Sequence, residues 1–152
     1  MNHILTVTSC LVLAAYTLHA QEKKIARSAL PPAVEKSLEA QLSGATVKGF
    51  ATETEHGKRV YEAETVLNGH TRDLQFATDG TLNEIEEEVA FDSLPAPVQK
   101  ALTAKAGAAK ITKVESLTKK GKLVAYEAAT LKGKKTGEIQ VGPSGENLKH
   151  EE

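Results

Sequence analysis

The chain of 152 residues has no tryptophan, one cysteine, one methionine, three phenylalanines and three tyrosines. So few aromatics leave little material for the Trp- and Tyr-rich anchors that dominate tight interfaces. The single cysteine, Cys10, excludes an internal disulfide, so stability has to come from packing. His56, His70 and His150 sit singly in or beside turn-like stretches, at spacings that match no zinc pattern. No Ser/His/Asp or Cys/His set and no phosphate loop is present. Nothing therefore places a nucleophile beside a base, and the expectation is a protein that is not an enzyme and that holds neither a cofactor nor a metal.

Residues 1–20 lack Asp, Glu, Lys and Arg altogether. Their apolar run, from Ile4 to Leu18, ends in Leu18-His19-Ala20 ahead of Gln21-Glu22-Lys23-Lys24. That pattern reads as a secretory signal peptide cut after Ala20, with no stable membrane span left after cleavage. Val7-Thr8-Ser9-Cys10 imitates a lipoprotein cleavage box that would make Cys10 the lipidated residue. The apolar run before Cys10 is short and continues beyond it, which favours ordinary cleavage. A periplasmic or secreted protein is expected.

What is present is a repeat. Leu30-Pro31-x-x-Val34-x-Lys36-x-Leu38 recurs as Leu94-Pro95-x-x-Val98-x-Lys100-x-Leu102. Tyr61-Glu62-Ala63 then matches Tyr126-Glu127-Ala128, Leu74-Gln75-Phe76 matches Ile139-Gln140-Val141, and Gly80 matches Gly145. A period of this length marks two copies of one supersecondary unit. The expected organisation is a signal peptide over residues 1–20, a disordered polar leader over 21–29, a first repeat over 30–93 and a second over 94–152. A lone unit of that size buries little surface, so the two are expected to pack as one body.

Each unit opens with proline, which suits a first helical turn, and continues with an apolar stripe of helical period: Val34, Leu38, Leu42 in one and Val98, Leu102, Ala106 in the other. Gly44 and Gly107 are expected to end these helices. The period then changes to that of strands. Residues 46–55, 59–67, 70–78 and 81–91 are separated by His56-Gly57, Asn68-Gly69 and Asp79-Gly80, and Asn-Gly and Asp-Gly favour two-residue hairpins. In the second unit, residues 110–119, 122–131, 134–141 and a short terminal strand at 146–150 are separated by turns at Gly121, Gly133 and Pro143-Ser144-Gly145. The fold class predicted is α+β: two tandem repeats, each a helix followed by a four-stranded antiparallel meander.

Alternation along the second strand puts Tyr61, Ala63, Thr65 and Leu67 on one face, expected under the helix, with Tyr126, Ala128 and Thr130 their counterparts. Glu62, Glu64 and the apolar Val60 and Val66 fall on the other face, as does Glu127; that face is solvated or awaits a partner. Tyr61 and Tyr126 fit the core, or paired anchors for a partner. Glu84, Glu86 and Glu88 share a face and read as a solvated, aggregation-resistant edge, or as a run that binds cations or a basic partner, while Glu87 sides with Ile85.

Charge is balanced overall, 19 basic against 20 acidic side chains, yet partitioned. Residues 30–93 carry 5 basic and 13 acidic groups, residues 94–152 carry 11 and 6. Such a dipolar chain favours attraction between its halves, head-to-tail association, or partners of matching polarity. Lys119-Lys120-Gly121-Lys122 and Lys132-Gly133-Lys134-Lys135 place the basic groups on turns. With no aromatics interleaved among them, nucleic acid is not an expected partner.

A helix, then Tyr61-Glu62-Ala63-Glu64, Asn68-Gly69 and Asp73-Leu74-Gln75-Phe76-Ala77-Thr78-Asp79-Gly80 resembles the PepSY-like families of bacterial extracytoplasmic proteins. Tyr126-Glu127-Ala128-Ala129, Gly133, Glu138-Ile139-Gln140-Val141 and Gly145 follow the pattern more loosely, with Ser144 where the aspartate would stand. The tandem arrangement is similar to the fold shared with beta-lactamase inhibitory protein. The resemblance covers almost the whole mature chain and implies a noncatalytic binding module that inhibits or regulates an extracytoplasmic enzyme. The expected partner is an unidentified extracytoplasmic protein, held through Glu62, Glu64 and Glu127 with Tyr61 and Tyr126 as further candidates. The alternative is a structural or cation-buffering envelope protein.

Overall fold

Helix α1 (Pro32–Gln41) begins directly after Pro31, so the ring of Pro32 occupies a first-turn position whose amide has no helical acceptor. Glu35 in that turn accepts from Arg27 Nε at 2.8 Å, placing an acid near the positive end of the helix dipole. The computed structural model describes residues 22–150 and residue 152, so the signal-peptide reading and Cys10 lie outside the described residues. α1 ends at Gln41 with Leu42 as its cap, short of Gly44. α2 (Ala96–Ala106) begins after Pro95 and ends at Gly107, as its sequence implies.

Among the described residues the strands form one eight-stranded sheet in chain order: β1 (Lys23–Lys24), β2 (Thr46–Glu55), β3 (Lys58–Leu67), β4 (His70–Ala77), β5 (Leu82–Glu88), β6 (Lys110–Lys119), β7 (Lys122–Lys132) and β8 (Lys135–Val141). Every neighbouring pair is antiparallel, including β5 with β6, between which the chain makes α2. The class is α+β, and the two halves form one body because β5 and β6 hydrogen-bond across the middle.

Three expectations give way. Residues 22–29 of the leader are ordered: Lys23–Lys24 pairs with Ala51 and Thr52, and Arg27–Ala29 makes a 3-10 turn. An edge strand accepts a short partner when its amides would otherwise face water, which is what β1 supplies to the middle of β2. The strand expected to reach Phe91 stops at Glu88, because Phe91–Ser93 turns into a 3-10 helix that feeds α2. Residues 146–150 form no strand, so α2 is followed by three strands while α1 is followed by four.

Turn chemistry behaves as the dipeptides suggest, with one departure. His56-Gly57, Asn68-Gly69 and Lys120-Gly121 each hold two successive residues at positive φ, the requirement of a type I′ turn. At Asp79-Gly80 only the glycine has positive φ; Asp79 Oδ1 instead accepts the Thr81 amide at 2.9 Å.

Both helices lie on one side of the sheet over separate apolar clusters. Under α1 are Leu30, Val34, Leu38, Tyr61, Ala63, Leu74 and Phe76; under α2 are Leu94, Val98, Leu102, Val114, Ala128 and Val141. Thr65 is fully buried on that side too, its hydroxyl donating to the Arg72 carbonyl. The other side of the sheet carries neither helix.

Candidate functional site

Strand alternation and register together decide what faces outward on the helix-free side. Three cross-strand rows run through its centre. Glu64, Asp73, Glu86, Leu117 and Ala125 form one; Glu62, Gln75, Glu84 and Lys119 a second; Glu88, Glu115, Glu127 and Gln140 a third. The rows set acid directly opposite acid at Glu64/Asp73, Asp73/Glu86, Glu88/Glu115 and Glu115/Glu127. Like charges in directly opposed positions destabilise a sheet.

β5 is therefore neither an edge nor freely solvated, as its acidic run suggested. It occupies the centre of the sheet between β4 and β6, and Glu84, Glu86 and Glu88 are half-buried there. Burial raises the Glu86 carboxyl to about 8, helped by the nearby charges of Glu84, Glu115, Glu127 and Glu62. Burial likewise raises Glu62 to about 7, with Asp73 the largest charge contribution. Burial pushes Asp73 upward against an opposing hydrogen bond from the Thr65 amide, and Glu84 upward against the pull of Lys119.

Lysines offset part of the crowding. Lys113 Nζ lies 2.5 Å from Glu115 Oε1, Lys119 Nζ 3.4 Å from Glu84 Oε2, and Lys24 Nζ 3.9 Å from Glu64 Oε1. The Glu84–Lys119 pair joins the acidic half to the basic half. Glu127 accepts from Gln140 Nε2 at 2.6 Å, and Glu88 from the Thr71 amide at 3.2 Å. Asp73, Glu86 and Glu115 each bring one carboxylate oxygen within 4.8 Å of the others, an arrangement that suits a hard cation.

The candidate residues thus divide by face. Glu62, Glu64 and Glu127 share the open side, whereas Tyr61 belongs to the core under α1 and Tyr126 packs against the cluster under α2. Sequence reasoning missed Asp73, Glu115 and Lys119 as members of this face. Their parity along each strand was readable, but not the register that sets them beside Glu86 and Glu84. His56 and His70 stand at opposite ends of β3, and His70 Nδ1 is 4.0 Å from Glu88 Oε1. A groove of about 380 Å³ between the end of α2 and the start of β6, lined by Phe91, Thr103, Ala106, Gly107, Ala109 and Ile111, lies away from the acidic face.

No family model matches the chain, and no curated protein matches it. Solved structures do share the fold. A protein of Bacteroides eggerthii provisionally described as periplasmic is 21% identical over 77% of this chain and 84% of its own, with a TM-score of 0.63. A DUF2874 family protein of Bacteroides ovatus is 18% identical over 79% and 85%, TM-score 0.61. A BLIP-like protein of Bacteroides fragilis is 21% identical over 81% and 86%, TM-score 0.58. The fold of this chain is accordingly BLIP-like. Among the described residues no helix is long and apolar enough to cross a membrane.

Proposed function

We propose that the mature chain is a noncatalytic PepSY-like protein of the periplasm or extracellular space whose helix-free sheet face binds a basic surface of an extracytoplasmic protein, inhibiting or regulating it. One observation carries the reading: four directly opposed acid pairs cross the centre of the sheet, an arrangement that costs stability. Sequences break such local rules where function asks for it. A partner's Lys or Arg side chains would add counter-charge to that which Lys24, Lys113 and Lys119 bring to the face. The signal-peptide pattern of residues 1–20 and the provisional periplasmic description of the Bacteroides eggerthii protein support the compartment. The tandem organisation, with α1 heading the first unit and α2 the second, belongs to the same reading.

Affinity capture tests it. Mature protein starting at Gln21 is used to draw partners from the envelope fraction of its source, with washes at low and high salt. A stoichiometric partner is expected for the natural sequence and is lost when Glu62, Glu64 and Glu127 are all changed to Lys. Retention of that partner by the triple variant removes the proposed face.

A second reading, loose cation storage, is favoured by the Asp73, Glu86 and Glu115 oxygens lying within 4.8 Å of one another. Calcium titration by calorimetry that gives neither heat nor a rise in Tm excludes it.

A further inference from the structure

β8 and β4 hold the same place in the two units, residues 137–141 standing where residues 72–76 stand in the first. Along β4 runs β5, with Leu74 opposite Ile85 and Asp73 opposite Glu86. Among the described residues no strand runs along the outer edge of β8. Burial reflects the difference. Leu74 is fully buried, and Ile85 packs against the same cluster under α1; Ile139, its counterpart, is only half-buried, and among the described residues nothing after Val141 joins the cluster under α2.

The open stretch of this edge has definite limits. Gly133 and Lys134 form a two-residue turn that sets Lys132 opposite Lys135, so those two bond to one another, and alternation sends the amides and carbonyls of Thr136, Glu138 and Gln140 outward. The intervening Gly137 carbonyl points inward and accepts from Thr130 Oγ1 at 2.9 Å. Beyond Glu138 the edge is closed. The Gln140 carbonyl accepts from Lys105 Nζ at 2.8 Å, and the next outward amide, that of Gly142, donates to the Glu146 carbonyl at 2.8 Å. The outward backbone groups of Thr136 and Glu138 have no partner among the described residues, and residues 135–138 are all exposed.

Two features flank the stretch. A groove of about 430 Å³ beside it is lined by Thr112, Ala129, Leu131, Thr136 and Glu138, and Leu131, 38% exposed, is the only large apolar side chain exposed among the described residues. Lys132, Lys134 and Lys135 surround the hairpin, and Lys110 lies opposite Leu131. All four lysines are exposed, and none makes an ion pair among the described residues.

We propose that the outer edge of β8, over residues 135–139, binds an extended acidic segment of another protein as an added antiparallel strand, in the place that β5 takes along β4. Backbone bonds to Thr136 and Glu138 hold the segment, an apolar side chain opposite Ile139 completes the cluster under α2 as Ile85 does under α1, and a second fills the groove at Leu131. Carboxylates at the hairpin end meet the four lysines. A second copy of this edge brings the same lysines, which discourage self-pairing. The proposal is independent of the acidic sheet face, whose partner is basic.

The test uses the full mature chain and the synthetic peptide Ile-Thr-Val-Val-Glu-Glu-Glu, whose isoleucine is to face Ile139 and whose glutamates are to reach the hairpin lysines. Bound peptide is expected to protect the Thr136 and Glu138 amides from hydrogen exchange and to move the Leu131 methyl signals in NMR spectra. Thr136→Pro removes an outward donor while leaving the bonds to β7 in place, and is expected to weaken binding about tenfold or more with the fold unchanged. No binding by millimolar peptide, equal binding by Thr136→Pro, or binding without protection at Thr136 and Glu138 overturns the added strand. Pentaglutamate that binds as tightly as the peptide reduces the edge to a charged patch and overturns it as well. A natural chain that sediments as a dimer, with Thr136→Pro a monomer, gives the edge to a second copy and overturns the acidic partner. Should Thr136→Pro fail to fold, the peptide N-methylated at alternate residues is tested on the natural chain, and undiminished binding is then the overturning result.

Discussion

Gly80 lies so close to the carbonyl of Ala33 that a Cβ at position 80 would overlap the Ala33 oxygen, in the first turn of α1. The same relationship recurs 65 residues on, where a Cβ at Gly145 would sit 2.5 Å from the Pro97 oxygen in the first turn of α2. Both glycines have positive φ, +85° and +83°. The turn following the helix-covered strands is thus the seat on which each helix start rests.

Substitution there carries two penalties, backbone strain and displacement of a helix. Gly80→Ala and Gly145→Ala are each expected to cost about 2–4 kcal/mol. Gly133→Ala, at φ +65° with nothing within 4 Å of the added carbon, carries only the first and is expected to cost about 1 kcal/mol. Urea unfolding with an unchanged m-value reads the difference; equal losses at all three positions would show that the helix contact is irrelevant.

Leu38 and Leu102 are fully buried at equivalent places in the two clusters. Each truncation to alanine is expected to cost about 2–5 kcal/mol. Because β5 and β6 join the halves into one sheet, unfolding should remain a single transition in either variant. Two resolved thermal transitions would instead assign each half its own stability.

The raised carboxyls set a direction for pH. Folded Glu62 titrates at about 7 and Glu86 at about 8, each from a reference of 4.5, so the folded state holds more protons than the unfolded state between these values. Their contribution is fully present below about 4.5 and is lost as pH rises through 7 and 8. Solvent access reduces the size, and a loss of about 1–3 kcal/mol for the pair between pH 5 and 9 is expected. Glu62→Gln with Glu86→Gln should flatten the profile. Urea midpoints that hold steady or climb over this interval in the natural sequence would reverse the assignment.

Lys119 faces Glu84 from the other half of the molecule and draws its carboxyl down against burial. In Lys119→Met the Glu84 carboxyl should titrate higher, as followed by carboxyl carbon shifts, while global stability changes by no more than about 1 kcal/mol. A large loss of stability would mark this pair as the clasp between halves in place of the β5–β6 backbone ladder.

Much of the local architecture was legible beforehand because its causes are local. Pro31-Pro32 and Leu94-Pro95 announce helix starts by a fixed φ and a missing donor; Asn68-Gly69 announces a hairpin through positive φ; alternation around Tyr61 separates the buried face from the acidic one. These signals depend on a few neighbouring residues. No such signal joins β5 to β6. That pairing is decided by which strand edges meet once both helices have covered their apolar clusters, and it moves Glu84, Glu86 and Glu88 from an apparent edge to the middle of the sheet. Lys23–Lys24 as an edge strand and Glu152 beside Gln140 are decided in the same way, since each contact links positions far apart in the chain. The sequence by itself therefore determined the order and kind of the main elements and the polarity of their faces. The tertiary structure alone decided which acids crowd together, because the proximity of carboxylates on five different strands follows from register and is not written in any one of them.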